Sequence, residues 1–393
     1  MEIINENSPP CHINSFMSSN ITTSSSIKQS QPSLPEIFDS FPKKTRENIY
    51  KGNEDCLSNL LNFVYFNNDN FLYQLWLIFT PKISKYLSYK KSTYTSLPKN
   101  KQQKLKTLKY ITRFGIPDYL RGFIWQKFVG YNQAQVKGKY DTYMQSFISL
   151  RNNPDDDFET TNNDIIKDLD RTAHSTFFNE KGGIGQISLY NVLSIFSRQN
   201  SIGYVQGMSF FAASFLSYMD EEQSYWMMYY LTEDYNMKGY YQKGFPELKC
   251  SYYKLLSLMK KYLPTVYNVL RNAKVCPDYY ACQWFLTLFY LNVKQNVFVR
   301  ILDVFLYEKN FKIVYRIALA LLKLNESKIL SNPKFDTLMG VVQNLGNNVD
   351  LGCLFEEAFS IKITQTMLNE IGMQYNNLMK LNQSDEIIEQ IEN

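Results

Sequence analysis

The chain has 393 residues and a net charge of +5, with 42 Lys plus Arg against 37 Asp plus Glu, and it is 45% hydrophobic and 16% aromatic. That supply of apolar side chains excludes a largely disordered protein, and so mild a charge excludes a nucleic-acid partner recognised by charge alone. The six cysteines (Cys11, Cys56, Cys250, Cys276, Cys282 and Cys353) are scattered, with no Cys-x-x-Cys pair, which excludes a zinc cage or a disulfide framework and reads as reduced, mostly buried thiols.

In chain order, the opening MEIINENSPP lacks the positive start and apolar run of a secretory signal, so no export is expected. Residues 1–45 are rich in Ser, Asn and Pro and are expected to be a disordered tail. From 46 to 81 the apolar residues Leu57, Leu60, Leu61, Phe63 and Val64, then Phe71, Leu72, Leu75 and Trp76, are spaced as in one or two amphipathic helices. Between Lys82 and Arg113 stand ten basic residues and no acidic one. Such a run is either a solvated linker and helix face or a surface attracted to anionic lipid headgroups, and the sequence leaves both readings open. We take 46–112 as a helical, basic N-terminal extension.

Further on, Asp155-Asp156-Asp157 lacks the Gly and Glu of a calcium loop and reads as a polar loop. Leu189, Val192, Leu193 and Phe196 recur at i, i+3, i+4 and i+7, and Met208, Phe211, Ala212, Phe215, Leu216 and Met219 repeat the pattern, so two helices are expected to flank the loop Ser201 to Gly207. Tyr279 to Leu291 is nearly apolar but too short to cross a bilayer, and it reads as a buried core helix. In KIVYRIALALLKL (312–324), Ile313, Ile317, Ala320, Leu321 and Leu324 share one stripe, with Lys312, Arg316 and Lys323 elsewhere. Pro117, Pro246, Pro264 and Pro277 stand where helices should start or stop. Strand signals are weak throughout. The expected fold is all-α: one large multi-helix domain over 113–376, with a polar tail at 377–393.

Few catalytic chemistries survive inspection. The two histidines are His12, in the tail, and His174, so a Ser-His-Asp or Cys-His mechanism would hang on His174 alone. Metal-binding spacings are missing. The one glycine-rich run, Lys181-Gly182-Gly183-Ile184-Gly185, does not match a phosphate-cradling loop and reads as a link before a helix at 187. No metal, cofactor or nucleotide of the chain's own is expected.

Three segments are specific when taken together: GIPDYLRGFIWQKFVG (115–130), with Arg121-Gly122 and Trp125; IIKDLDRT (165–172); and IGYVQGMSFFAASFL (202–216). In this order they resemble the Arg-Gly-x-x-Trp, Ile-x-x-Asp-x-x-Arg and Tyr-x-Gln motifs of the TBC-domain family, the activating proteins of Rab GTPases. The similarity continues through LYEKNFKIVYRIALALL (306–322) and loosely to about Tyr375. The resemblance implies that Arg171 is an arginine finger and that Gln206 is a glutamine supplied in trans to orient the attacking water. It also implies a Rab-family GTPase in its GTP form as partner, holding Mg-GTP itself, and a cytoplasmic protein at the periphery of endomembranes.

Phosphoryl transfer needs positioning and charge neutralisation more than covalent help, which suits a permanent guanidinium and an amide that both donates and accepts. Without the motifs, Arg171 reads as the i+3 partner of Asp168 and Gln206 as a solvated loop residue. Gly207 permits close backbone approach at the start of the following helix, whose amides and dipole favour a phosphate. Arg121, Trp125, Asp168 and Tyr204 are assigned to support, with Trp125 filling core volume and Arg121 paired with buried Asp168. His174 stands where the family often has Pro, and it is read as structural. Two other readings keep the same fold without catalysis: a Rab-binding module and a scaffold.

Overall fold

Proline and short polar side chains set the helix starts in the computed structural model, which describes residues 99–172 and 176–380. The helices are α1 (Lys99–Phe114), α2 (Asp118–Val129), α3 (Gln133–Val136), α4 (Lys139–Asn152), α5 (Asp156–Thr172), α6 (Thr176–Asn179), α7 (Ile184–Gln199), α8 (Met208–Leu216), α9 (Glu221–Asp234) and α10 (Lys238–Tyr241). There follow α11 (Pro246–Tyr262), α12 (Pro264–Asn272), a 3-10 turn (Pro277–Tyr279), α13 (Cys282–Leu286), α14 (Gln295–Glu308), α15 (Lys312–Leu324), α16 (Glu326–Ser331), α17 (Phe335–Gln343), α18 (Leu351–Ser360) and α19 (Gln365–Lys380). No strand occurs among the described residues, so the fold is all-α as the sequence led us to expect.

Pro117 precedes α2, and Pro246 and Pro264 open α11 and α12, where the missing N–H forfeits no helical hydrogen bond. Asp220 caps α9 by accepting the Gln223 N–H at 2.8 Å, and Gly130 ends α2 in the left-handed region at φ 84°.

In the first half, α7 lies at the centre, packed by α4, α5, α6, α8 and α9, with Leu189, Val192, Leu193 and Phe196 buried. In the second half α15 packs on α14, α11 and α18. α2 touches both α9 and α14, and α14 is buried continuously from Val297 to Tyr307, so these two helices join the halves. Trp125, Phe215, Phe298 and Phe305 are all fully buried there, the size of side chain that contributes most to core stability.

Four expectations need correction. Asp155-Asp156-Asp157 is not a polar loop but a helix start: Asp155 Oδ1 accepts the Phe158 N–H at 2.6 Å, and Asp156 and Asp157 sit in the first turn of α5, where negative charge suits the dipole. Tyr279 to Leu291 is buried in large part but is not one helix; α13 stops at Leu286, and Leu288 and Phe289 adopt positive φ. Apolar composition reported burial there, and burial does not require continuity of the helix. On α15, Arg316 is buried and Leu324 exposed, because Arg316 Nε and Nη2 donate to the Ile361 and Ile363 carbonyls at 3.2 and 3.0 Å. Among the four described cysteines all are free thiols, but only Cys250 is buried.

The helix after the glycine run begins at Ile184 rather than 187, and α19 extends to Lys380, past the expected domain end. The expected disordered tail, the helices over 46–81 and His174 lie outside the described residues, as does the part of the basic run before Lys99.

Candidate functional site

The second and third motif segments meet at one carboxylate. Asp168 stands one turn before the end of α5 and is 2% exposed. Its Oδ1 accepts from Arg171, with Nε at 2.7 Å and Nη2 in close contact. Its Oδ2 accepts the Tyr204 hydroxyl at 2.6 Å. Burial pushes the Tyr204 phenol well above its usual range, and the hydrogen bond to Asp168 pushes it the same way, so the phenol stays protonated as a donor. One buried acid thus orients a residue of each segment.

The end of α5 is fixed from a third direction. The Thr172 hydroxyl donates to the Asp168 carbonyl, and Tyr290 donates its hydroxyl to the Thr172 carbonyl at 3.2 Å while its ring stacks on Phe210 of α8, centroids 4.7 Å apart. The loop before α8 is held by Asn200, whose Oδ1 accepts from the Ile202 and Gly203 amides at 2.7 and 3.0 Å and whose Nδ2 donates to the Phe196 carbonyl. A side chain serving its own loop in this way replaces backbone partners that the turn leaves unpaired.

Gly207 precedes α8 at φ +105°, a conformation strained for any L side chain, and an added Cβ would meet only Thr287 at 3.5 Å. Conformation, not crowding, therefore selects glycine here. The expected free amides of α8 are in part already used: the Met208 N–H donates to the Val205 carbonyl at 3.1 Å and the Phe210 N–H to Gly207 at 3.3 Å. The positive end of the helix dipole remains beside Gln206. Gln206 is exposed, and the Arg171 side chain is 55% exposed although its guanidinium rests on Asp168.

The first motif supports the opposite end of α8. Trp125 packs edge-on against Phe215 and Tyr218, with centroids 6.0 and 5.0 Å away. The expected pairing of Arg121 with Asp168 is not formed. Arg121 instead donates through Nε to Asp303 Oδ1 at 3.0 Å and through Nη2 to the Ile116 carbonyl at 2.8 Å, and Trp125 Nε1 donates to the same Asp303 oxygen at 2.8 Å. Burial works against both charges and lifts the Asp303 carboxyl, while the Asp303 charge in turn lifts Arg121 above its ordinary value. Asp168 already has two donors, and Arg121 finds its acid on α14.

Sequence reasoning missed Asp303, Asn200 and Tyr290. Asp303 did carry a signal, a lone acid inside the apolar run FVRILDVFL (298–306), which is the mark of a paired buried charge.

The sequence pattern of the Rab-GTPase-TBC domain family matches residues 118–330, more than half of the chain. This chain belongs to that family. The match takes in the Arg121, Arg171 and Gln206 motifs and Asp303, and it is narrower than the 113–376 expected for the domain.

Among similar proteins, the Rab GTPase-activating protein tbc-11 of Caenorhabditis elegans is 28% identical over 69% of this chain and 29% of its own length. The human ecotropic viral integration site 5 protein homolog is 25% identical over 74% of this chain and 35% of its own. The chain thus spans about a third of the length of these curated relatives. Two crystal structures share the TBC fold, each at TM-score 0.53 and 21% identity: the Ypt/Rab-GAP domain of Gyp1p, covering 65% of this chain and 92% of that one, and a Chlamydomonas flagellar RabGAP TBC domain, covering 71% and 90%.

Within the TBC domain, an exposed guanidinium and an exposed carboxamide stand on two segments locked to one buried acid. Such a pair can neutralise charge on a phosphate and hold a water, provided another molecule brings the phosphate.

Proposed function

We propose that this TBC domain stimulates GTP hydrolysis by a Rab-family small GTPase, with Arg171 as arginine finger and Gln206 as the water-orienting glutamine. The observation that carries the reading is the shared carboxylate: Asp168 holds Arg171 directly and the Gln206 loop through Tyr204. Pre-organisation of this kind matters because a catalyst of phosphoryl transfer works by positioning and electrostatics. The relatives named as Rab GTPase activators support the partner class. Exposed Ile166 on α5, which carries Arg171, and exposed Phe177, Ile184 and Ile187 on the following α6 and α7 supply apolar contact area. The partner keeps Mg-GTP in its own pocket, and the reaction takes place on the cytoplasmic face of an endomembrane, approached through the basic stretch 82–113.

A second reading, a GTPase-binding module without catalysis, has one observation in its favour: the Arg171 guanidinium is already engaged by Asp168. Phosphate release from a panel of GTP-loaded Rabs, followed with the full chain, Arg171→Ala and Gln206→Ala, separates the two. An arginine finger is worth about 10³ to 10⁵ in rate. Loss of that order in both variants is expected, whereas binding with no acceleration by the unaltered chain would sink the catalytic reading.

A further inference from the structure

The chain between α13 and α14 touches both segments that carry the exposed polar pair. α13 stops at Leu286, and Leu288 and Phe289 follow at φ 48° and 70°, two consecutive side chains in the left-handed region that favours glycine. Both are fully buried, and Phe289 stacks on Trp284 with centroids 5.4 Å apart, so packing holds them there. Backbone bonds close the turn: the Tyr290 N–H donates to the Thr287 carbonyl at 3.0 Å, and the Val293 N–H to the Phe289 carbonyl at 3.2 Å.

Strain of this kind persists only where the surroundings over-determine it, and it gathers where function needs a side chain in a place that relaxed backbone does not reach. The side chains so placed are Thr287 and Tyr290. Thr287 turns its Cγ2 methyl to Gly207, 3.5 Å from where a Cβ would stand, and anchors itself by donating its hydroxyl to the Gln283 carbonyl at 2.7 Å. Tyr290 donates to the Thr172 carbonyl at 3.2 Å, one of the last-turn carbonyls that a helix end leaves without an internal donor. Its ring lies nearly parallel to Phe210 of α8, 21° between the planes, and edge-on to Phe298 of α14 at 5.0 Å.

Gly207 adjoins Gln206 in the chain, and Thr172 adjoins Arg171. One rigid turn thus rests against the neighbour of each. Asp168 joins the same two segments elsewhere, through Arg171 and Tyr204. A single attachment leaves two segments free to pivot about it, whereas a second one removes the rotation and sets their separation. An apolar side chain would fill the gap beside Phe210 equally well; only the Tyr290 hydroxyl adds the link to α5.

We propose that the turn Thr287 to Tyr290 is a fixed gauge for the spacing of Arg171 and Gln206, with Tyr290 as a positioning residue for GTP hydrolysis by the partner. The assignment rests on the GTPase reading above. Tyr290 acts through Arg171 and not on the nucleotide, so its contribution falls on the transition state rather than on docking. Misplacement of a catalytic group by about 1 Å can cost on the order of 100-fold in rate, which gives such a gauge its leverage.

Two measurements on the full chain test it. Tyr290→Phe removes the hydroxyl and keeps the ring, so the packing is retained; Tyr290→Ala removes both. Hydrogen exchange, which needs no partner, should quicken in Tyr290→Phe at the last turn of α5 and the first turn of α8 and stay unchanged in α11 and α15. With a Rab that the unaltered chain activates, kcat should fall about two- to tenfold in Tyr290→Phe, the worth of one hydrogen bond, and further in Tyr290→Ala, with KM unchanged. Binding to that Rab loaded with GDP and aluminium fluoride, which mimics the transferring phosphate, should weaken by the same factor, while binding to the form loaded with a non-hydrolysable GTP analogue holds. Unchanged exchange, unchanged kcat, or equal weakening of both loaded forms, as a general loosening of the fold would produce, overturns the gauge alone. A chain that activates no Rab overturns the GTPase reading and the gauge together.

Discussion

Tyr204 and Asp168, 36 positions apart, are joined by a 2.6 Å hydrogen bond that ties the loop before α8 to the end of α5. Because the phenol is kept protonated and the acid is already held by Arg171, Tyr204→Phe removes this one link and little else. A hydrogen bond to a charged group is worth about 1.5 to 3 kcal/mol. Stimulated GTP hydrolysis should fall roughly tenfold or more by the rate arithmetic, as followed by phosphate release. Replacement of Tyr204 with no change in stimulated rate would remove the loop linkage from the mechanism.

Asp303 should matter to folding rather than to chemistry. It accepts from both Arg121 and Trp125 in a fully buried setting, so Asp303→Ala leaves Arg121 with no buried acid and only the exposed Asp118 as charge partner. Breaking one side of a buried pair costs about 3 to 5 kcal/mol. Urea unfolding should show that loss, and Arg121→Met/Asp303→Leu should lose less than the two single changes combined, because the buried Arg121–Asp303 pair goes as a unit and only Arg300, 3.8 Å from Asp303 Oδ2, still loses its acid.

Glu308 should confer an acid-sensitive contribution to stability. Burial works to raise its pKa, but the Arg113 charge and hydrogen bond, with Lys312 and Arg316, outweigh it, and the group lies below its ordinary 4.5. A depressed carboxyl pKa stabilises the fold above the unfolded value and loses that contribution as pH falls through the folded one. Glu308→Gln should therefore be less stable than the unaltered chain at pH 7, and the gap measured by urea unfolding should close below about pH 4.5.

Gly122, the second residue of the first motif, answers to a contact rather than to a turn. A Cβ there would lie 2.2 Å from the Tyr218 carbonyl oxygen, backbone that cannot move aside as a flexible side chain would. Gly122→Ala should force α2 away from the segment after α8 and destabilise by about 1 to 3 kcal/mol, read as a lower melting temperature. A melt unchanged by the substitution would show that α2 can shift freely.

The three motif segments were legible in the sequence because each is local: an i+3 or i+4 spacing on one helix, or four residues in one loop. Helical periodicity likewise identified α7 and α8 from Leu189 and Met208 onward, since an amphipathic stripe is written within a single turn-to-turn pattern. Partner choice was not so written. Arg121 was assigned to Asp168 and bonds Asp303, which lies 182 positions along, and nothing near either residue encodes that distance.

The sequence by itself determined that this protein is helical, where several of its helices begin, and which residue types are available to meet a phosphate, because propensity, capping and periodicity are short-range properties of the chain. Only the tertiary structure decided that Asp168 holds Arg171 and Tyr204 together, that Asp303 takes Arg121, and that two basic stripes from α1 and α15 converge on Glu308. Those outcomes depend on which helix faces come to share a buried space, where an unpaired charge is too unfavourable to persist and each acid is matched with the donors that packing brings within reach.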